Sequence, residues 1–362
     1  RFLGVLAPAV SPDVFLSLGS LPMPGGRVEL GLSAQRLVAI GLIAVLTLIN
    51  IRGVRLGAAV QTVFAVAKIG GLAALVLLGL TVFRRADVAA ANFSSFWGTG
   101  DWSLAVLPAL GAAMVGSLFS SDAWNNVTFA AAEVREPRRN LPLALAAGTM
   151  IVSVLYVLAN VAYLNVLPFH GDPAGTDVLA RGIPYAAEDR VGTAALEVML
   201  GPAGATVMAV AIMLSTFGCN NGLILAGPRV FYAMAKDGLF FERAARLHPE
   251  YRTPAFGLVA QAVWASALCL SGTYSQLLTY VIFASLIFYL LTTLAVFRLR
   301  RTQPDTPRPV KAFGYPVLPA LYIGAIAFLL VVLLIDRTQR VYSALGLLIV
   351  ALGLPVYRFW RR

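Results

Sequence analysis

The chain has 362 residues, of which 59% are apolar and only 12% charged, with a mean hydropathy of +0.80 and a formal net charge of +11. Soluble domains carry about 25% charged residues, so the composition excludes an ordinary water-soluble domain. It describes a polytopic membrane protein whose backbone is satisfied within helices, because lipid offers no hydrogen-bond partners.

The first segment, 2–16, is apolar but carries Pro8, Pro12 and Asp13, and is expected as the outer end of a helix that begins before Arg1. The chain therefore reads as the carboxy-terminal part of something longer. Pro22, Pro24, Gly25 and Gly26 predict a loop. Apolar runs long enough to span a bilayer follow at 33–51, 56–83, 104–134, 141–167, 194–232, 254–270, 276–297, 317–335 and 342–357. All belong to a single transmembrane domain covering 1–362. The run 104–134 is too long for one upright helix. At 1.5 Å per residue it measures about 46 Å, against a hydrocarbon core of about 30 Å. The segment is therefore either strongly tilted or broken; a break would fall at its polar cluster, Ser120 to Asn126, and a discontinuous helix is one way to build a binding site at the bilayer midplane.

The charge pattern tests this segmentation. With the Arg135–Arg139 loop placed in the cytoplasm, the inner loops collect Arg52, Arg55, Arg229, Lys236, Arg298, Arg300, Arg301 and Lys311, among others, and the carboxy-terminal Arg358, Arg361 and Arg362. More than twice as many basic residues fall inside as outside, in keeping with the positive-inside rule. The net charge thus belongs to loops and is no sign of a nucleic-acid partner. Cys219 and Cys269 lie in apolar runs, His170 and His248 in loops, and no Gly-rich phosphate loop or metal-ligand set is present, so neither ATP hydrolysis nor a cofactor is expected.

Several polar residues stand where lipid would make them expensive. Lys68 lies near the middle of its span. A central charge costs roughly 3 kcal/mol or more and generally faces the bundle interior. It is either a structural lysine tied to carbonyls or part of a coupling or ion site. Asp122, with Ser120, Ser121, Trp124 and Asn125, either caps the second half-helix or contacts a ligand. Phe119 is either core packing or an aromatic gate. A third cluster runs from Ser215 to Gly222 and holds the cavity candidates Cys219 and Asn220; Ser285, a further cavity candidate, lies with Tyr289, Thr292 and Thr293 in a later span of weaker polarity. Ser and Thr in such helices also bond back to their own backbone.

These residues carry a resemblance. Leu118-Phe119, Trp124-Asn125, Glu133 and Arg135-Glu136-Pro137-Arg138-Arg139-Asn140-Leu141-Pro142 resemble the sixth helix and following loop of the L-type amino acid transporters, in the amino acid–polyamine–organocation superfamily. Tyr156 to Tyr163 looks like that family's seventh helix, Phe217-Gly218-Cys219-Asn220-Asn221-Gly222 with Arg229-Val230-Phe231 like its eighth, and Phe64 to Lys68 like its fifth. The resemblance implies an all-α, LeuT-like five-plus-five inverted repeat, present here from the end of the third helix onward. It also implies a substrate site in which Phe119 gates and Ser120 to Asn125 contact the amino acid. Lys68 would stand where sodium-coupled relatives hold an ion, with Ser215 and Thr216 across from it. Ser121 and Ala123 depart from the Tyr and Gly frequent in bacterial relatives, and Ala stiffens the break. The segment 17–32 has no cysteine, so no disulfide-linked heavy subunit is expected.

The function expected is secondary transport of an amino acid across the plasma membrane, the inner membrane in a bacterium, by exchange or proton coupling. A polyamine or organic cation permease and a non-transporting truncated module are the alternatives.

Overall fold

In the computed structural model, which describes residues 2–23, 26–94, 103, 106–271, 274–308, 310–336 and 340–360, helices build nearly all of the architecture. The exception comes first. After the short helix α1 (Phe2–Leu6), strands β1 (Val14–Met23) and β2 (Gly26–Ser33) pair as an antiparallel hairpin, with Val14 opposite Ser33 and Pro22 opposite Arg27. The helix expected over 2–16 therefore stops at Leu6, and Pro22 and Gly26 sit in strands rather than a loop. Pro8 and Pro12 lack the amide hydrogens that would carry the helix on. Beyond them, Val14 and Phe15 begin a stretch suited to extended backbone. Pro24 and Gly25 lie outside the described residues.

Ser33 then caps α2 (Ala34–Ile51), its hydroxyl accepting from the Arg36 amide at 3.2 Å. Next come α3 (Val54–Leu80), α4 (Ala86–Ser94), α5 (Val106–Ser120), a 3-10 helix (Asn126–Glu133) and α6 (Pro137–Val166). The short helices α7 (Val178–Arg181) and α8 (Val191–Leu200) precede the long α9 (Ala203–Lys236), and α10 (Ala255–Ser271), α11 (Tyr274–Thr302), α12 (Val317–Ile335) and α13 (Arg340–Trp360) complete the chain. The single span expected over 194–232 is divided. Gly201, at φ +64°, turns the chain before Pro202, so α8 and α9 are separate helices. The helix α4 was not foreseen. The amide group of Asn92 ties it to the end of α6, donating to the carbonyls of Leu164 (2.7 Å) and Leu167 (2.9 Å).

By length and composition, 7 helices among the described residues can cross a membrane. The chain is a multi-pass membrane protein. Its large outward-facing side chains, Trp264 at 68% exposure among them, suit a lipid surface. Three apolar clusters organise the interior among the described residues. One joins Leu75 of α3 to Val166, Ala195, Met199 and Met208; the second joins Val115 of α5 to Ile282, Phe283 and Leu286 of α11 and Ile326 and Leu329 of α12; the third joins Leu46 of α2 to Ile224 of α9 and Leu258 of α10.

Between α2, α3 and α9 the contact also includes a polar clasp. The Asn50 amide donates to Asn221 Oδ1 (2.9 Å) and to the Leu46 carbonyl (2.8 Å), and Asn221 Nδ2 donates to the Gly57 carbonyl (2.9 Å). Both asparagines are fully buried. A β-carbon on Gly57 would stand 2.5 Å from Asn50 Oδ1, so the absence of a side chain there is what lets the clasp close. Small residues at such crossings are how membrane helices approach closely.

Candidate functional site

The helix α5 ends in its own hydroxyls. Ser120 Oγ and Ser121 Oγ both donate to the Ser117 carbonyl (2.9 Å each), and Ser121 also reaches Leu118 (3.1 Å). This back-bonding competes with the helical ladder. Ala123 then adopts φ +63°, in the left-handed region, and the chain turns before restarting as the 3-10 helix at Asn126.

Two tyrosines from other helices hold this turn. Tyr156 of α6 donates to the Ser120 carbonyl at 3.0 Å, and Tyr289 of α11 donates to Asp122 Oδ1 at 2.5 Å. The indole of Trp124 lies 6.1 Å from the Tyr289 ring, tilted by 53°. Asp122 thus spends its carboxylate on α11 and not on a cap. The residue in the cap position is Asn125, and its side chain makes no capping bond either. Asn125 Oδ1 is buried and accepts no hydrogen bond among the described residues. Phe119, in the last turn of α5, is 37% exposed. At the far end of the 3-10 helix, Glu133 receives Arg229 of α9 (3.2 and 3.4 Å), and Arg229 is only 7% exposed and also bonds the Leu225 carbonyl.

The second expected group sits on the α3–α9 contact. Phe64 packs on Phe217 with ring centroids 4.6 Å apart, and a β-carbon on Gly218 would come within 2.5 Å of Phe64 Cβ. Gln61 lies against Gly222 one turn away. Lys68 lies one turn beyond Phe64 on α3, and Ser215 shortly before Phe217 on α9. Lys68 is half-buried and has no hydrogen-bond or ion-pair partner among the described residues. Ser215 and Asn220 are half-buried, whereas Thr216 is exposed and bonded back to the Ile212 carbonyl at 2.7 Å. Cys219 is exposed. Ser285 is half-buried one turn before Tyr289 on the same face of α11.

The structure therefore brings Ser120, Asp122 and Trp124 together with Tyr156 and Tyr289, while Lys68 and Ser215 lie on α3 and α9, the two helices that pack through Phe64 and Phe217. Among the described residues no hydrogen bond or ion pair joins these two groups. The tyrosines are the residues that sequence reasoning undervalued. Their signal was present, since a phenol at membrane depth requires a partner.

A bundle of apolar helices around an interrupted one, with polar groups gathered at the interruption, defines a multi-pass membrane transporter. A family model described as "Amino acid permease" matches residues 2–354, and the chain belongs to the amino acid permease family. It is 32% identical to the serine/threonine exchanger SteT of Bacillus subtilis (strain 168), over 98% of this chain and 75% of that protein. It is 30% identical to the b(0,+)-type amino acid transporter 1 of Mus musculus, over 89% of this chain and 62% of the relative. It is also 30% identical to the large neutral amino acids transporter small subunit 2 of Homo sapiens, over 90% of this chain and 57% of the relative. Family and relatives are permeases and transporters, not enzymes.

Proposed function

We propose that the full-length protein exchanges a small neutral amino acid across the plasma membrane by alternating access. The single observation that carries the reading is the break at Ser121–Asn125, held from α6 by Tyr156 and from α11 by Tyr289 in a chain of the amino acid permease family. An unwound stretch frees backbone groups for the carboxylate and ammonium of an amino acid at the bilayer midplane. In this reading Ser120, Ser121, Asp122, Trp124 and Asn125 contact the substrate and Phe119 closes over it. Lys68, with Ser215 and Thr216, couples substrate binding to the change of state; Cys219, Asn220 and Ser285 line the cavity. The exchange of serine or threonine is suggested by the name of the Bacillus relative. A polycation is disfavoured because Asp122 is a single carboxylate among the described residues of the break, and a polycation calls for more than one.

The same reading places the Arg135–Arg139 loop and the carboxy terminus in the cytoplasm, and treats the chain as the later part of a five-plus-five inverted repeat. Both cysteines lie within apolar helices, which supports a chain with no disulfide-linked heavy subunit.

The test is uptake by the full-length protein in liposomes, using radiolabelled L-serine, L-threonine and L-leucine. Each is measured with and without internal amino acid and with and without a pH gradient. Exchange predicts uptake only into preloaded vesicles, and Lys68→Ala abolishes it. Uptake driven by the pH gradient into empty vesicles replaces exchange with proton coupling. No uptake of any amino acid under either condition overturns the proposal.

A further inference from the structure

At the end of the molecule away from the Arg135–Arg139 loop, a cavity of about 290 Å³ opens between α1, α7, α8 and the start of α9. It lies apart from the break, and none of its lining residues belongs to the proposed transport site. Its polar walls are Arg181 of α7, Glu188 and Arg190 of the connecting segment, and Thr193 and Glu197 of α8. Thr193 and Glu197 are four residues apart, so both project from one face of α8.

The partners of these groups show which are committed. Glu188 and Arg190 form an ion pair with each other, and the Arg190 guanidinium also lies 4.7 Å over the ring of Phe2. Arg181 uses Nε on the Gly175 carbonyl (2.9 Å), but its two terminal nitrogens have no partner among the described residues. Glu197 is half-buried, and its carboxylate has no partner among them either. Thr193 Oγ1 is buried and makes no hydrogen bond among the described residues. One cavity therefore holds an uncommitted cation, an uncommitted anion and an orphaned hydroxyl. Buried polar groups normally find partners.

We propose that this cavity is a second binding site, separate from the break, for a small zwitterion of amino-acid size. Its ammonium would be taken by Glu197 and Thr193, and its carboxylate by the free nitrogens of Arg181. A lone anion would face the Glu197 carboxylate, and a lone cation would leave Arg181 unanswered; a molecule carrying both charges answers both. The volume lies at the small end of ligand sites, which run from about 300 Å³ upward. Amino acids as the probe rest on the transport proposal, whereas the charge pattern of the cavity does not.

The experiment is equilibrium dialysis of the purified full-length protein with radiolabelled L-serine and L-threonine. The parent is expected to show two classes of site. Glu197→Gln combined with Thr193→Val removes one class and halves the stoichiometry, and Arg181→Gln does the same; Phe119→Ala weakens the other class only. Melting profiles confirm that each variant is folded. A second measurement replaces Cys219 and Cys269 with Ala and introduces Ala187→Cys, at a lining position that contributes no charged or hydrogen-bonding side chain to the site. L-serine is then expected to slow alkylation by a membrane-impermeant maleimide, and to do so in the Phe119→Ala background as well. A single class of site that is insensitive to Glu197→Gln and to Arg181→Gln, or alkylation that L-serine leaves unchanged, overturns the second site while the transport proposal stands. Binding of no amino acid at all overturns both.

Discussion

At Ala123 the backbone adopts a conformation that glycine ordinarily supplies, φ +63° in the middle of the interruption. The left-handed region costs a residue with a β-carbon about 1–2 kcal/mol. Such strain persists only where neighbours over-determine it, and clusters at working sites. The neighbours here are Tyr156 on Ser120 and Tyr289 on Asp122. Ala123→Gly is therefore expected to leave the melting temperature in detergent unchanged or slightly higher, and Ala123→Val to lower it, because a branched side chain fits φ above zero poorly. The reverse order would contradict the left-handed turn. Tyr289→Phe deletes only the donor to Asp122. A hydrogen bond to a charged group is worth about 1.5–3 kcal/mol, so transport should fall roughly tenfold or more with expression intact. In a double-mutant cycle, Tyr289→Phe should add little once Asp122→Asn is present; fully additive losses would show that the contact does not matter. Thr216→Val, by contrast, removes only a back-bond to Ile212 on an exposed face and should leave the melting temperature almost unmoved.

Among the elements, α9 is the common partner. It meets α2 and α3 through Asn221, packs Gly218 under Phe64, and fastens the 3-10 helix through Arg229 and Glu133. Buried side-chain hydrogen bonds between membrane helices average about 0.6 kcal/mol and reach about 1.7. Asn221→Ala breaks two of them and leaves the Gly57 carbonyl unanswered. It should lower the melting temperature clearly more than Asn220→Ala, measured side by side; equal shifts would show that the clasp is not what holds α2 and α3 to α9. This contrast was only half legible in the sequence. The pair Asn220-Asn221 marks a polar patch, but which asparagine turns inward, and that Asn50 is its partner 171 positions away in the chain, depends on how three helices meet. Gly201 before Pro202 did carry a readable stop. The apolar run simply continues across it, so hydrophobicity alone merged α8 with α9.

Across the whole molecule, two ends are distinguished by charge. The loops on the Arg135–Arg139 side collect most of the basic residues, and the cavity of the second proposed site lies at the other end. Cysteine reporters test the sidedness. In a variant with Cys219 and Cys269 replaced, Arg138→Cys should react with an impermeant maleimide only in inside-out vesicles and Ala187→Cys only in right-side-out ones; the opposite pattern would invert the topology. That the chain spans the membrane many times, and that its run at 104–134 must be either tilted or interrupted, followed from composition and length, because a fixed rise per residue meets a fixed bilayer thickness; the turn at Ala123 decides for the interruption. The amino acid permease relationship was likewise readable from motifs such as Phe119, Trp124-Asn125 and the Arg135–Pro142 loop. The β1–β2 hairpin was not, since apolar residues beside prolines suit a helix end or a strand alike. Nor could the sequence assign the tyrosines to Ser120 and Asp122, or set Arg181 and Glu197 in one cavity without pairing them. Periodicity and hydropathy are properties of neighbours along the chain. Which buried polar groups answer one another, and which are left for a ligand, is decided by distances between helices that only the packed structure contains.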